Sequence, residues 1–133
     1  MKTFAAIFLC SMLLLLAASS QEKKPQREAV PGYDTANQET FTGSVLEIKE
    51  YKCPVTGTVG SHLALKGANE VIEVHLAPVA FMKEYGIVFK TGDKLDVVGT
   101  RVTFAGKPAL LARSAKVGRE TFLFRDEKGR PLW

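Results

Sequence analysis

The segment His62–Gly99, with the sequence HLALKGANEVIEVHLAPVAFMKEYGIVFKTGDKLDVVG, decides the fold of this chain. It opens with two short runs in which apolar and polar residues alternate, separated by the turn-forming residues Gly67–Asn69. Such alternation on both sides of a turn is typical of a β-hairpin. Pro78 then begins a helical patch that ends at Gly86, and a further strand follows over Lys94–Val98. The segment therefore predicts a hairpin, a short helix and a strand, in that order.

The strands on either side of this segment both change face along their length. In Phe41–Cys53 the apolar residues occupy one face up to Val45 and the opposite face from Leu46 onward. The strand that begins at Lys94 continues to Phe104 and changes face at Gly99, where a glycine permits a bulge. A change of this kind is expected where a long strand bends around a barrel.

Two more strands, over residues 109–117 and 121–124, complete the predicted set. Three strands, a helix and two further strands form the arrangement of the OB-fold. We predict an all-β chain with one short helix: a five- to six-stranded, OB-fold-like Greek-key barrel with its helix between strands 3 and 4. Phe81, Met82 and Tyr85 on one side of that helix are expected to plug the barrel. The alternative is a loop that carries some apolar residues.

The amino terminus has the pattern of a secretory signal. A positive start at Lys2 precedes the apolar run Phe4–Ala18, and small residues follow up to Ser20. The run is too short for a comfortable membrane span, which disfavours an uncleaved anchor. We expect a signal peptide over residues 1–20, a flexible polar arm over 21–40 and the barrel domain over 41–133. The mature protein would then be periplasmic or secreted.

The charge and the cysteine content of the chain argue against several classes of function. The chain has 133 residues and a formal net charge of +4, and its basic residues are scattered among acidic ones, which is weak evidence for nucleic-acid binding. Of its two cysteines, signal cleavage would leave only Cys53. The mature chain could then form no intrachain disulfide, and it has no C-x-x-C redox motif or C-x-x-C-H haem site.

The hairpin brings the two histidines of the chain together. If its turn is centred on Ala68 and Asn69, His62 lies opposite His75 on the face that the leucines do not occupy. Cys53 ends the preceding strand and could approach the same place. Two imidazoles and a thiolate are suitable ligands for zinc or copper. Two alternatives remain: a register shift of one residue that separates the histidines, and a Cys53 that is simply a small buried apolar residue.

Other surface features suggest binding rather than catalysis. Lys66 and Glu73 share the hairpin with the histidines and could help to hold a small ligand. That face carries none of the aromatic residues on which single-stranded nucleic acids stack, which argues against nucleic acid. There is no Gly-x-Ser-x-Gly elbow and no glycine-rich phosphate loop, so the chain is not expected to be an enzyme. Trp133 and Arg130 either anchor a partner protein or close the barrel edge.

Several short motifs resemble a group of small exported bacterial proteins of unknown function. The motifs are Thr56-Gly57, His62-Leu63, Val74–Pro78, Gly92–Leu95 and the ending Arg125–Trp133. A similar domain occurs near the carboxyl ends of magnetosome-associated proteins, and the layout also resembles the periplasmic OB-fold proteins implicated in stress tolerance and ligand binding. The resemblance covers about 41–133 and implies an exported OB-fold domain. It carries over no functional residue.

We therefore expect an exported, non-enzymatic binding module that holds a small ligand or a periplasmic protein partner on the barrel face. The second hypothesis is a periplasmic copper- or zinc-binding protein that uses His62, His75 and Cys53. A third is covalent pairing with another protein through Cys53.

Overall fold

The computed structural model describes residues 31–133, which contain six strands and one α-helix. A 3-10 turn at Thr35–Asn37 precedes the first strand. The elements in chain order are β1 Gln38–Lys52, β2 Val59–Lys66, β3 Val71–Pro78, α1 Val79–Glu84, β4 Lys94–Phe104, β5 Lys107–Val117 and β6 Glu120–Leu123. The predicted order of elements is therefore confirmed. The predicted signal peptide and residues 21–30 of the predicted arm lie outside the described residues.

The strands close into a ring. Their order is β3-β2-β1-β4-β5-β6, all neighbours are antiparallel, and an additional parallel pairing joins β3 to β5. Five strands thus form a closed barrel with α1 between β3 and β4, and β6 extends the sheet from β5. This is the predicted OB-fold-like arrangement, and its closure removes the free edges of all five barrel strands. Within the described residues, no helix is long and apolar enough to cross a bilayer.

Both predicted changes of face are bulges. β1 pairs with β4 through residues 38–44 and with β2 through residues 44–52, and its register with β2 shifts between Val45 and Glu47. In β4 the register with β5 shifts between Val98 and Gly99. A Cβ on Gly99 would overlap the backbone carbonyl oxygen of Leu111, so this bend needs a glycine.

The barrel core consists mainly of leucine, valine and isoleucine from the inward faces of the strands. The helix adds Phe81 and Met82, which are buried. The prediction that Tyr85 joins them is wrong, because Tyr85 is 63% exposed. Tyr85 caps the end of the helix and its ring lies against that of Phe81, with centroids 4.8 Å apart, but the rest of its side chain faces solvent.

The hairpin has the predicted register. His62 pairs with His75, Leu63 with Val74, and Leu65 with Ile72. Leu63 and Leu65 face the core, and the two histidines therefore face the opposite side of the same hairpin.

Both ends of the described chain pack on the barrel. β1 includes residues 38–40, which the sequence analysis assigns to the polar arm. The guanidinium of Arg125 is buried between the rings of Tyr33 and Trp133, at 5.6 and 5.1 Å from their centroids. Trp133 also lies edge-on to Phe81, with ring centroids 6.1 Å apart, and packs against the core.

Candidate metal centre

Three potential metal ligands from three separate segments meet on the outer side of the hairpin. Cys53 follows β1, His62 belongs to β2 and His75 to β3. One ligand atom from each residue lies within 4.8 Å of the other two. All three side chains are buried, with exposed fractions of 1%, 0% and 2%. We call these three residues the Cys-His-His cluster.

The hairpin register fixes the two histidines. Because they are directly paired across β2 and β3, their side chains project side by side from one face. Their rings meet edge to face, with centroids 4.6 Å apart and an interplanar angle of 85°. Cys53 Sγ lies 3.5 Å from Nδ1 of His75.

A tight turn over residues 53–58 presents the thiol. The Cys53 N–H donates to the Thr58 carbonyl at 3.0 Å, and the Gly57 N–H donates to the Cys53 carbonyl at 2.9 Å. The Thr56 hydroxyl is within hydrogen-bonding distance of the carbonyls of Cys53 and Thr58. The cysteine is therefore held by backbone bonds rather than by its side chain, which leaves the sulfur free to act as a ligand.

The turn packs closely on the His62 ring because residue 60 is a glycine. A Cβ at Gly60 would lie 2.9 Å from Thr56 Oγ1 and 3.0 Å from His62 Cε1. The register of β2 with β3 also shifts between Gly60 and His62. Gly60 thus allows the turn and the ring to approach each other.

Two aromatic residues cover the cluster. The Tyr51 ring stacks on His62 with centroids 3.8 Å apart and an interplanar angle of 5°. The Phe104 ring lies edge-on to His75 at 5.5 Å. The Tyr51 hydroxyl donates to a Glu73 carboxylate oxygen at 2.5 Å, which ties the ring to β3.

This cover was not predicted from the sequence. The predicted face consisted of residues of β2 and β3 with Cys53 beside them, whereas Tyr51 comes from β1 and Phe104 from the end of β4. One signal was present in the sequence: Tyr51 precedes Cys53 by two positions, which places both side chains on the same face of an extended strand.

The cluster holds polar atoms that have no hydrogen-bond partner of acceptable geometry among residues 31–133. These atoms are both ring nitrogens of His62 and Nε2 of His75. A neutral imidazole carries one N–H donor and one acceptor nitrogen, and buried groups of this kind are normally paired.

Burial keeps both rings neutral. It lowers the pKa of His62 to about 4, assisted by the neighbouring His75, and it also lowers the pKa of His75. The Glu73 carboxylate opposes the shift in both pKa values, and the Gly60 backbone opposes it for the pKa of His62, but burial outweighs them. Neutral imidazole is the form that binds metal ions, so the cluster is ready to act as a ligand set near neutral pH.

The other predicted site residues do not join the cluster. Glu73 contacts it indirectly, through Tyr51. Lys66 is exposed at the far end of β2. Arg130 is exposed and donates to Asp126 at 2.7 Å. Trp133 packs against the core, as the barrel-closing alternative predicts.

The fold and the cluster together define a class of protein: an OB barrel with a buried Cys-His-His cluster on the outer side of its β2–β3 hairpin. The chain belongs to the MamS/MamX magnetosome protein family, whose model matches residues 37–122. This confirms the resemblance to magnetosome-associated proteins, and the match includes all three residues of the cluster.

Several solved chains are similar to part of this chain. One of them is described as the crystal structure of the S. pombe Stn1-ten1 complex, with a TM-score of 0.49 and 19% sequence identity. The likeness covers 62% of this chain and 59% of that chain, less than two thirds of its length. No curated protein matches the chain.

Proposed function

We propose that this protein is an exported, non-enzymatic binding module whose ligand is a copper or zinc ion held by Cys53, His62 and His75. One observation carries the proposal. A thiol and two imidazoles from three segments converge in a buried place, and three of the four ring nitrogens there find no hydrogen-bond partner in the described part of the chain.

The energetics support a ligand rather than a purely structural role. Each buried polar group left unpaired costs about 1–3 kcal/mol. Apolar side chains would fill the same space without that cost. A metal ion supplies partners for imidazole nitrogen and thiolate sulfur at once, and its binding energy contributes to the stability of the folded state.

Export is the second part of the proposal. The positive start and the apolar run Phe4–Ala18 support a cleaved signal peptide, and a periplasmic or secreted location follows from it. A lone thiol in an oxidising compartment is at risk of oxidation. Burial of Cys53, and its use as a metal ligand, would protect it.

A small organic ligand or a protein partner on the hairpin face is a weaker proposal. It needs His62 and His75 to be reachable from the surface, and Tyr51 and Phe104 cover them. Metal ions are small enough to be held beneath such a cover.

The test is the metal content of the mature protein, purified from the periplasm of its own cells. We expect close to one copper or zinc ion per chain, and its loss in the His62→Ala, His75→Ala double variant. Leu63→Ala is the matched control, because Leu63 neighbours His62 on β2 but faces the core. Equal metal content in the wild type and the double variant, or a metal-free folded wild type, would refute the proposal.

A further inference from the structure

The number and kind of donors in the Cys-His-His cluster select among metals. Within residues 31–133, it is the one group of three or more His, Cys, Asp or Glu side chains close enough together to share an ion. Among the described residues, the cluster therefore offers one soft sulfur and two imidazole nitrogens, and no further histidine, cysteine or carboxylate lies close enough to be a fourth ligand.

A water molecule has little opportunity to become the fourth ligand. The three donors are almost completely buried, and Tyr51 and Phe104 lie against the imidazole rings. The surface cavities next to Met82, Phe122 and Trp133 are not lined by any of the three donors. The Tyr51 hydroxyl is itself engaged by Glu73.

The net charge of the buried site gives a second criterion for the choice of metal ion. Metal binding displaces the thiol proton, so a monovalent ion and the Cys53 thiolate form a neutral unit with two neutral imidazoles. A divalent ion leaves one positive charge in the same buried place, and burying an uncompensated charge is costly. The Glu73 carboxylate offsets this only in part, because it is half-buried and bonded to Tyr51 on the outer side of the cluster.

We propose that the metal is monovalent copper, bound by three ligands in a closed site; this rests on the proposed function. Structural zinc is almost always four-coordinate, and catalytic zinc keeps an open position for water. Divalent copper with nitrogen and oxygen ligands favours tetragonal sites, whereas soft thiolate ligands favour Cu(I). One cysteine and two histidines also hold copper in blue-copper sites, which use both oxidation states, so the buried charge is what favours Cu(I) here. Cu(I) is stable with three donors, which is the number that the cluster offers.

The cover over the cluster then has a defined role. The Tyr51 ring holds the His62 imidazole in place and excludes water from the metal, and the hydrogen bond to Glu73 keeps the ring there. Tyr51 and Glu73 are positioning residues, because neither touches the metal. Loss of such outer partners typically lowers metal affinity by roughly 10–100-fold.

The experiment loads the metal-free mature protein anaerobically with Cu(I), in competition with a chromophoric Cu(I) chelator, and separately with Zn(II), in competition with a zinc chelator. X-ray absorption then gives the coordination number. We expect one Cu(I) per chain bound by one sulfur and two nitrogens, and weaker zinc binding. Tyr51→Phe keeps the ring and should keep three-coordination. Tyr51→Leu should lower the Cu(I) affinity by roughly 10–100-fold and admit a fourth ligand.

The outcomes are distinguishable. Preferential, four-coordinate zinc binding by the wild type overturns the copper assignment and leaves the proposed function in place. Failure of the folded wild type to bind either metal overturns both. If Tyr51→Leu does not fold, the coordination number and metal preference of the wild type decide the assignment.

Discussion

Replacing His62 by leucine tests whether the unpaired ring nitrogens of the Cys-His-His cluster destabilise the metal-free protein. Leucine has a similar volume and no polar atoms, so His62→Leu removes two buried nitrogens that lack hydrogen-bond partners. Each such nitrogen costs about 1–3 kcal/mol. The substitution also removes the stacking on Tyr51, worth about 0.5–1.5 kcal/mol. In the metal-free protein we therefore expect a net gain in the free energy of unfolding of at least about 0.5 kcal/mol.

The assay is denaturant unfolding of wild type and variant, stripped of metal and kept reduced. For a domain of this size, a gain of 1 kcal/mol corresponds to a rise in melting temperature of about 4–8 °C. Leu63→Ala, next in sequence but facing the core, should lower the free energy of unfolding by about 2–5 kcal/mol. In metal-loaded protein the order of wild type and His62→Leu should reverse. A His62→Leu variant destabilised by more than about 1 kcal/mol without metal would refute the reasoning, since it would mean that the ring is better accommodated than its unpaired nitrogens imply.

Three further predictions concern acid stability, the glycine at position 60 and the carboxyl-terminal ring. The depressed pKa of His62 means that the unfolded chain takes up a proton first, so this residue should cost metal-free wild type about 3 kcal/mol of stability as pH falls from 6.5 to about 4; His62→Leu should lose less, with His75, whose pKa is also lowered, still contributing. Gly60→Ala should cost about 1–3 kcal/mol and weaken metal binding, measured by unfolding and metal titration, because the new Cβ would press on Thr56 and His62. Trp133→Ala should cost about 1–3 kcal/mol by removing the ring beside Arg125, yet leave metal affinity unchanged; a loss of metal affinity would contradict this assignment.

The sequence predicted the parts of the fold that depend on local rules. The two-residue period of the hairpin and the centre of its turn were enough to pair His62 with His75. The change of face at Gly99 predicted the bulge in β4, because a bulge shifts the alternation by one residue.

Non-local packing decided what the sequence could not predict. The cover over the histidines depends on where β1 and the end of β4 cross the hairpin, and no periodicity within β2 or β3 records that. The exposure of Tyr85 was not predictable for a related reason: its spacing from Phe81 does bring the two rings together, but that contact leaves Tyr85 63% exposed. The identity of three candidate donors was predictable; their burial and their unpaired nitrogens were not.

The central claim is that a metal ion binds between Cys53, His62 and His75. Its most direct test is an anomalous difference map from crystals of the Cu(I)-loaded protein, recorded at the copper absorption edge. We expect a single strong peak within bonding distance of the Cys53 sulfur and one nitrogen of each imidazole. A map with no peak there, and with the thiol still in contact with His75 as in the metal-free protein, would contradict it.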